Sequence, residues 1–248
     1  MIECSNAHFE ETPDMHPELP RYLAVGYASA IAYFFVAILL SMANVDAVRA
    51  YDRVELPPVD EAFKDPDLQD YRNTLLMAIV ARDLKQVLNL TAQHFTVGHG
   101  GSGIGQKELI DYLQSEENWY GIETALRMGG TLDRERGAYR APYIWSAILA
   151  ARIDIDPFDL YAVTGQGVRV RAAPHLSAAT LDIYSHEIVK RRRIEAGEFG
   201  NENWLPVTTA KGREGWIHAA YIYPALGLRV VIERWDGEWR WTGLYAGD

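Results

Sequence analysis

The sequence predicts an α+β protein: an N-terminal apolar helix, then an α+β domain with a small β-barrel inserted in it or appended to it. Three observations carry this expectation. Residues 22–42 hold no charge over 21 positions. Residues 68–128 carry helical apolar spacing. After residue 154 the chain breaks into short β-type runs separated by turns.

Taken in order, the segment Tyr22–Met42 is long enough as a helix to cross a bilayer, at about 1.5 Å per residue. Ser41-Met42-Ala43, Val45-Asp46-Ala47 and Val48-Arg49-Ala50 each fit a small-x-Ala cleavage pattern. Residues 1–50 therefore read as a signal peptide or a retained membrane anchor. The leader is acidic (Glu3, Glu10, Glu11, Asp14 and Glu18 against Arg21), which is unusual for a signal and is explained if translation starts at Met15. The net charge of −10 disfavours a nucleic-acid partner. The lone Cys4 leaves no intramolecular disulfide and no CxxC metal site.

Residues 51–67 are rich in proline and charge and read as a linker. Leu76, Val80, Leu84, Val87 and Leu88 mark one face of a helix over 68–90. A strand at Phe95–Val97 follows, then helices at Gln106–Gln114 and Asn118–Met128, the last stopped by Gly129-Gly130. Tyr139–Leu149 is aromatic and β-branched, so it reads as extended, with a bend at Pro142. Asp236-Gly237 predicts a two-residue hairpin that pairs Ile232 with Trp241, Glu233 with Arg240 and Arg234 with Trp239.

Between Phe95 and Leu109 the chain reads FTVGHGGSGIGQKEL. Gly98, Gly100 and Gly103 match G-x-G-x-x-G, but no second parallel strand with an acidic end follows; Glu123, at about the right distance, falls in a helical pattern. His99-Gly100-Gly101 looks like an esterase oxyanion loop, yet Ser102 lacks the G-x-S-x-G context of a nucleophile. His94 and His99, with Asp111, are poor metal ligands, since the two histidines point to opposite faces if the strand continues. No catalytic residue, metal or cofactor is assigned. The stretch reads as a flexible strand-to-helix connection.

Residues 160–223 resemble bacterial SH3 domains of the SH3b type. Four blocks in order carry the resemblance: Gly167-Val168-Arg169-Val170-Arg171-Ala172-Ala173-Pro174, then Thr180–Val189, then Trp204-Leu205-Pro206-Val207, then Gly212–Ile222 with Gly215-Trp216-Ile217-His218 inside it. His186-Glu187 stands where the family usually has Lys-Gly, and the insert Lys190–Asn203 begins with a basic run of four. The resemblance implies a groove that includes Arg171, His186, Trp204, Trp216 and Tyr221, binding a cell-wall peptide or an envelope protein without catalysis. The two tryptophans fit core packing as well as the groove.

The flanking segments 68–150 and 224–248 resemble an NTF2-like α+β domain more weakly. Ala81-Arg82-Asp83-Leu84, the strand at Phe95, Lys107-Glu108-Leu109-Ile110 and the hairpin Asp236–Arg240 carry that likeness. It implies a cone lined by His94, Tyr143 and Trp241, with Tyr139 and Trp145 near it, unless these aromatics simply fill the core. The expectation is a non-catalytic envelope protein, exported to the periplasm or held at the inner membrane by its N-terminal segment. The alternative is an exported NTF2-like small-ligand binder or enzyme, targeted by its SH3b module.

Overall fold

A computed structural model describes residues 50–98, 104–193 and 203–247. The apolar segment Tyr22–Met42, the loop residues 99–103 and most of the polar insert, 194–202, lie outside the described residues. No helix among the described residues is long and apolar enough to cross a membrane.

Helix α1 spans Pro66–Val80. Asp65 caps it by accepting from the Leu68 amide at 3.1 Å, and Pro66 takes a first-turn position where no amide is missed. The sequence pattern suggested one helix to residue 90. Instead the chain turns at Arg82 (φ 56°), and Asp83 caps a second helix, α2, at Leu84–Leu90. The left-handed turn is held by the Arg82 guanidinium, which donates to the Ile79 carbonyl and pairs with Glu116 and Glu123. The reset of phase moves the buried face of α1 to Leu68, Leu75 and Ile79, leaving Val80 exposed.

Strand β1 is Thr91–Val97, followed by α3 at Gln106–Tyr112 and α4 at Glu116–Arg127. Gly129 ends this run with φ 76°; a Cβ there would stand 2.6 Å from the Val59 carbonyl, so the site demands glycine. Strands β2 (Thr131–Asp133) and β3 (Ala138–Ala141) form a hairpin. Tyr139–Leu149 is therefore not one extended run: after the cis Ala141–Pro142 bond the chain forms helix α5, Tyr143–Ala151. Its alanines, isoleucines and leucine suit a helix whose buried face is Tyr143, Ile144 and Ile148.

Seven strands follow: β4 (Leu160–Val163), β5 (Val168–Arg171), β6 (Thr180–Tyr184), β7 (Ile188–Arg191), β8 (Trp204–Thr208), β9 (Glu214–His218) and β10 (Ile222–Pro224). They form one sheet in the order β10-β4-β7-β8-β9-β5-β6. The expected small β-barrel is corrected to an open seven-stranded sheet with β10 and β6 as edges. β10 has only three residues, too few to close a ring, before the chain leaves it for β11. The last two strands, β11 (Arg229–Trp235) and β12 (Glu238–Tyr245), join the first part of the chain in a five-stranded sheet, β1-β12-β11-β3-β2. Their register is Ile232 opposite Trp241, Glu233 opposite Arg240 and Arg234 opposite Trp239, as the turn predicts. Glu233 and Arg240 do not pair, however: Glu233 accepts from Thr242, while Arg240 reaches Glu238 and the Asn89 carbonyl.

Three cores result. One joins the five-stranded sheet to α1 and α4 around Trp241, Tyr139 and Phe95. One lies within the seven-stranded sheet around Val170, Tyr184, Val207 and Ile217. The third holds α5, β4 and β7 together around Leu56. Leu56 belongs to the segment read as a linker, and that reading is also corrected. The Tyr51 hydroxyl donates to the Thr208 carbonyl and accepts from the Lys190 amide. Arg53 pairs with Asp182 at 2.6 Å and Glu187 at 2.8 Å. Asp60 and Asp65 are helix caps. The charges that suggested a solvated linker are spent on ion pairs and caps, so residues 51–65 form a packed strap.

Candidate functional site

A cleft of about 280 Å³ opens on the seven-stranded sheet, at the ends of β5, β8 and β9. Its floor is a row of rings. Trp204, at the start of β8, lies directly across from His218, at the end of β9. The two rings meet edge to face, 5.2 Å between centroids. His218 in turn lies 5.9 Å from Tyr221. His218 Nδ1 accepts from the Ala220 amide, capping the short helical turn Ala219–Tyr221, so the neutral ring carries its proton on Nε2. Trp204 is only 6% exposed, whereas Tyr221 is 49% exposed. The row thus runs from a buried anchor to an open ring. Gly165 permits this: a Cβ there would come within 3.3 Å of the Tyr221 ring.

Arg169 and Arg171 form one wall. Two residues apart on β5, they project from the same face. Arg171 donates to the Ala178 carbonyl at 2.8 Å, which fixes its guanidinium against the loop after β5. Arg169 makes no hydrogen bond or ion pair among the described residues. Leu176, 73% exposed, supplies an apolar rim. Among the described residues the lining includes no carboxylate, hydroxyl of serine or threonine, or thiol.

Of the residues expected in the groove, the structure brings together Arg171, Trp204 and Tyr221 and leaves two elsewhere. Trp216 is buried, opposite Pro206 in the sheet, with the Arg192 guanidinium 5.5 Å from its ring. His186 sits in the turn between β6 and β7 with φ 52°, its amide donating to Gly165 and its carbonyl accepting from Leu56. Arg169, His218 and Leu176 were missed. The alternation Val168-Arg169-Val170-Arg171 held the signal for Arg169, because a strand with a buried valine face must turn both arginines outward.

The residues expected to line a cone do not share a cavity. Trp241 is fully buried in the first core, edge-on to Phe95 at 4.9 Å, its indole donating to the Gly243 carbonyl. Tyr143 is buried in the third core, its hydroxyl donating to the Leu56 carbonyl. Burial lifts the Tyr143 phenol above its ordinary pKa. His94 is exposed on β1, 6.0 Å from the Trp235 ring. Tyr139 fills the first core and donates to Asp60.

The strand that leads into the glycine run lacks a dinucleotide-binding frame. β1 is an edge strand whose neighbour is β12, the last strand of the chain, so no βαβ unit forms around it. Glu123 is bound to Arg82 and Arg127, and Asp111 to Lys107. His99 through Gly103 lie outside the described residues. Among the described residues no three His, Cys, Asp or Glu side chains are grouped to hold a metal ion.

No family model matches the chain, and no curated protein matches it. Among solved structures it is similar to one described as a calcium/calmodulin dependent protein kinase II association domain from Xanthomonas campestris, at 13% identity, over 80% of this chain and 96% of that one, with a TM-score of 0.24.

Proposed function

We propose that this chain is a non-catalytic cell-envelope protein that binds a cell-wall peptide or an envelope protein in the cleft of its seven-stranded sheet. On this reading the seven strands are a bacterial SH3-type module, set in an NTF2-like α+β domain. Export depends on Tyr22–Met42, as a cleaved signal or a retained anchor. The strands that carry the blocks Gly167–Arg171, Trp204–Val207 and Gly215–His218 lie side by side as β5, β9 and β8, which supports the module assignment.

One observation carries the function: three aromatic rings in a row beside two guanidiniums, with no carboxylate in the lining among the described residues. Guanidinium forks bind carboxylates in paired hydrogen bonds, and aromatic faces take small apolar side chains. A short peptide with a free carboxylate offers both. Among the described residues the lining holds no serine, threonine, cysteine or carboxylate, and His218 is held as a turn cap, which supports binding over bond cleavage. The NTF2-like enzyme reading has no comparable support, because Trp241 and Tyr143 are spent on packing.

The test is co-sedimentation of the full chain, in detergent, with purified peptidoglycan. Arg169→Ala and Tyr221→Ala should each release the protein while leaving its thermal unfolding unchanged. Retention that survives both substitutions would remove the cleft from the proposal.

A further inference from the structure

A second cleft, of about 610 Å³, lies at the first sheet, between β1, the N-terminal end of α3 and the β11–β12 turn. Its size falls within the roughly 300–1,000 Å³ of small-ligand sites. One wall is the indole of Trp235, 45% exposed at the tip of the hairpin. His94 supports it from β1, with ring centroids 6.0 Å apart and planes tilted by 52°. An exposed tryptophan braced by a second ring is a flat apolar plate that water does not satisfy.

The other walls are polar, and their hydrogen bonds can be accounted for one by one. Arg240 is committed: it donates to the Asn89 carbonyl at 2.9 Å and to Glu238 at 2.5 Å. The Gln106 amide nitrogen donates to the Leu88 carbonyl at 2.7 Å and to the Thr91 hydroxyl at 3.3 Å, which leaves its amide oxygen without a donor among the described residues. The side chains of Asn89, Gln93 and Asp236 have no partner among the described residues. The cleft therefore presents planar amide and carboxylate groups with open donor and acceptor sites, around an apolar plate.

The charge balance narrows the ligand. Asp236 and Glu238 outweigh Arg240, and Arg240 is already neutralised, so a phosphate or carboxylate ligand would be repelled. Among the described residues no group of three His, Cys, Asp or Glu side chains is present to hold a metal ion here. What fits is a neutral molecule with one C–H face and a rim of neighbouring hydroxyls. A pyranose ring has that form: its C–H face lies on an indole, and vicinal hydroxyls bridge the two polar atoms of an amide or carboxylate. We propose that this cleft is a binding site for a neutral saccharide. It uses none of the residues of the peptide cleft and stands or falls without it.

The experiment is calorimetric titration of the full chain, in a non-glycosidic detergent, with triacetylchitotriose and separately with maltotriose, each up to about 10 mM. Saturable binding of either sugar is expected. Trp235→Ala should weaken it by about tenfold or more. Asp236→Asn should also weaken it, and keeps a residue that tolerates the positive φ of this turn. Tyr221→Ala should leave sugar binding unchanged, which separates this site from the peptide cleft. No saturable binding of either sugar, or binding that survives both Trp235→Ala and Asp236→Asn, overturns the proposal.

Discussion

In the five-stranded sheet Trp241, Tyr139 and Phe95 lie wholly buried beneath α1 and α4. In the seven-stranded sheet Trp204, His218 and Tyr221 run from a buried ring to a half-exposed one. The first sheet has long helices to cover one face, so large rings fill the space between layers. The second builds its core from its own strands, with small β-branched residues such as Val163, Val170 and Val207. Tyr184 and Trp216 are buried within it, and the row Trp204, His218 and Tyr221 lies at the strand ends, where only Tyr221 is largely open to solvent. The rings at the centre of the first sheet are thus spent on packing, while the row at the strand ends of the second opens at Tyr221.

Truncating the central ring of the first sheet is the severest way to break that contrast. Trp241→Ala should cost about 3–5 kcal/mol in urea unfolding, since it removes a fully buried side chain and leaves a cavity. A loss under about 1 kcal/mol would mean that this core is not organised around Trp241. Next in size is Leu56→Ala in the strap, expected to cost about 2–4 kcal/mol. A near-neutral result would return residues 51–65 to the role of a linker.

The strap shows why part of the fold was hidden in the sequence. Local patterns suffice where neighbours in sequence pair with each other: the Asp236-Gly237 hairpin and its register follow from alternation alone. The strap's partners are far away, with Tyr51 bonded to Thr208 and Arg53 to Asp182 and Glu187, and no local rule reveals them. Helix α5 was missed for a different reason. Aromatic and β-branched residues suit strands by propensity, but here they form a buried helix face in the third core. Arg171, Trp204 and Tyr221, named from the blocks that carry the SH3b resemblance, line one cleft. Arg169 follows from the Val168–Arg171 alternation, whereas His218 becomes visible once β8 and β9 are laid side by side, because its place depends on cross-strand pairing.

A milder substitution sharpens the other half of the comparison. Tyr221→Ala should change stability by no more than about 0.5 kcal/mol, since its ring is half open to solvent. On the proposed function, its affinity for wall peptide should nevertheless fall by about tenfold. Paired urea and binding titrations of this variant and Trp241→Ala would then give opposite profiles. If Tyr221→Ala unfolds the protein instead, its ring belongs to the core and the contrast between the sheets fails.

The smallest expected effect concerns a charge that ties α1 to the first sheet. Asp65 is partly desolvated, which alone would raise its pKa, yet the Leu68 amide and Arg234 hold its carboxyl below the usual range. Arg234 also lies over the Trp239 ring, 4.8 Å from its centroid, so the pair links the helix start to the β11–β12 hairpin. A carboxyl whose folded pKa is depressed stabilises fully above its unfolded value near about 4, and that stabilisation is lost as the pH falls through the folded value. Asp65→Asn keeps a capping side chain but removes the charge. The wild type should therefore exceed Asp65→Asn by up to about 1 kcal/mol at neutral pH, with the gap shrinking as the pH drops below about 4. Urea unfolding at several pH values reads this directly. A gap that stays constant through the acid range would show that Asp65 acts through its capping hydrogen bond and steric fit, and that its pairing with Arg234 adds nothing to the first sheet.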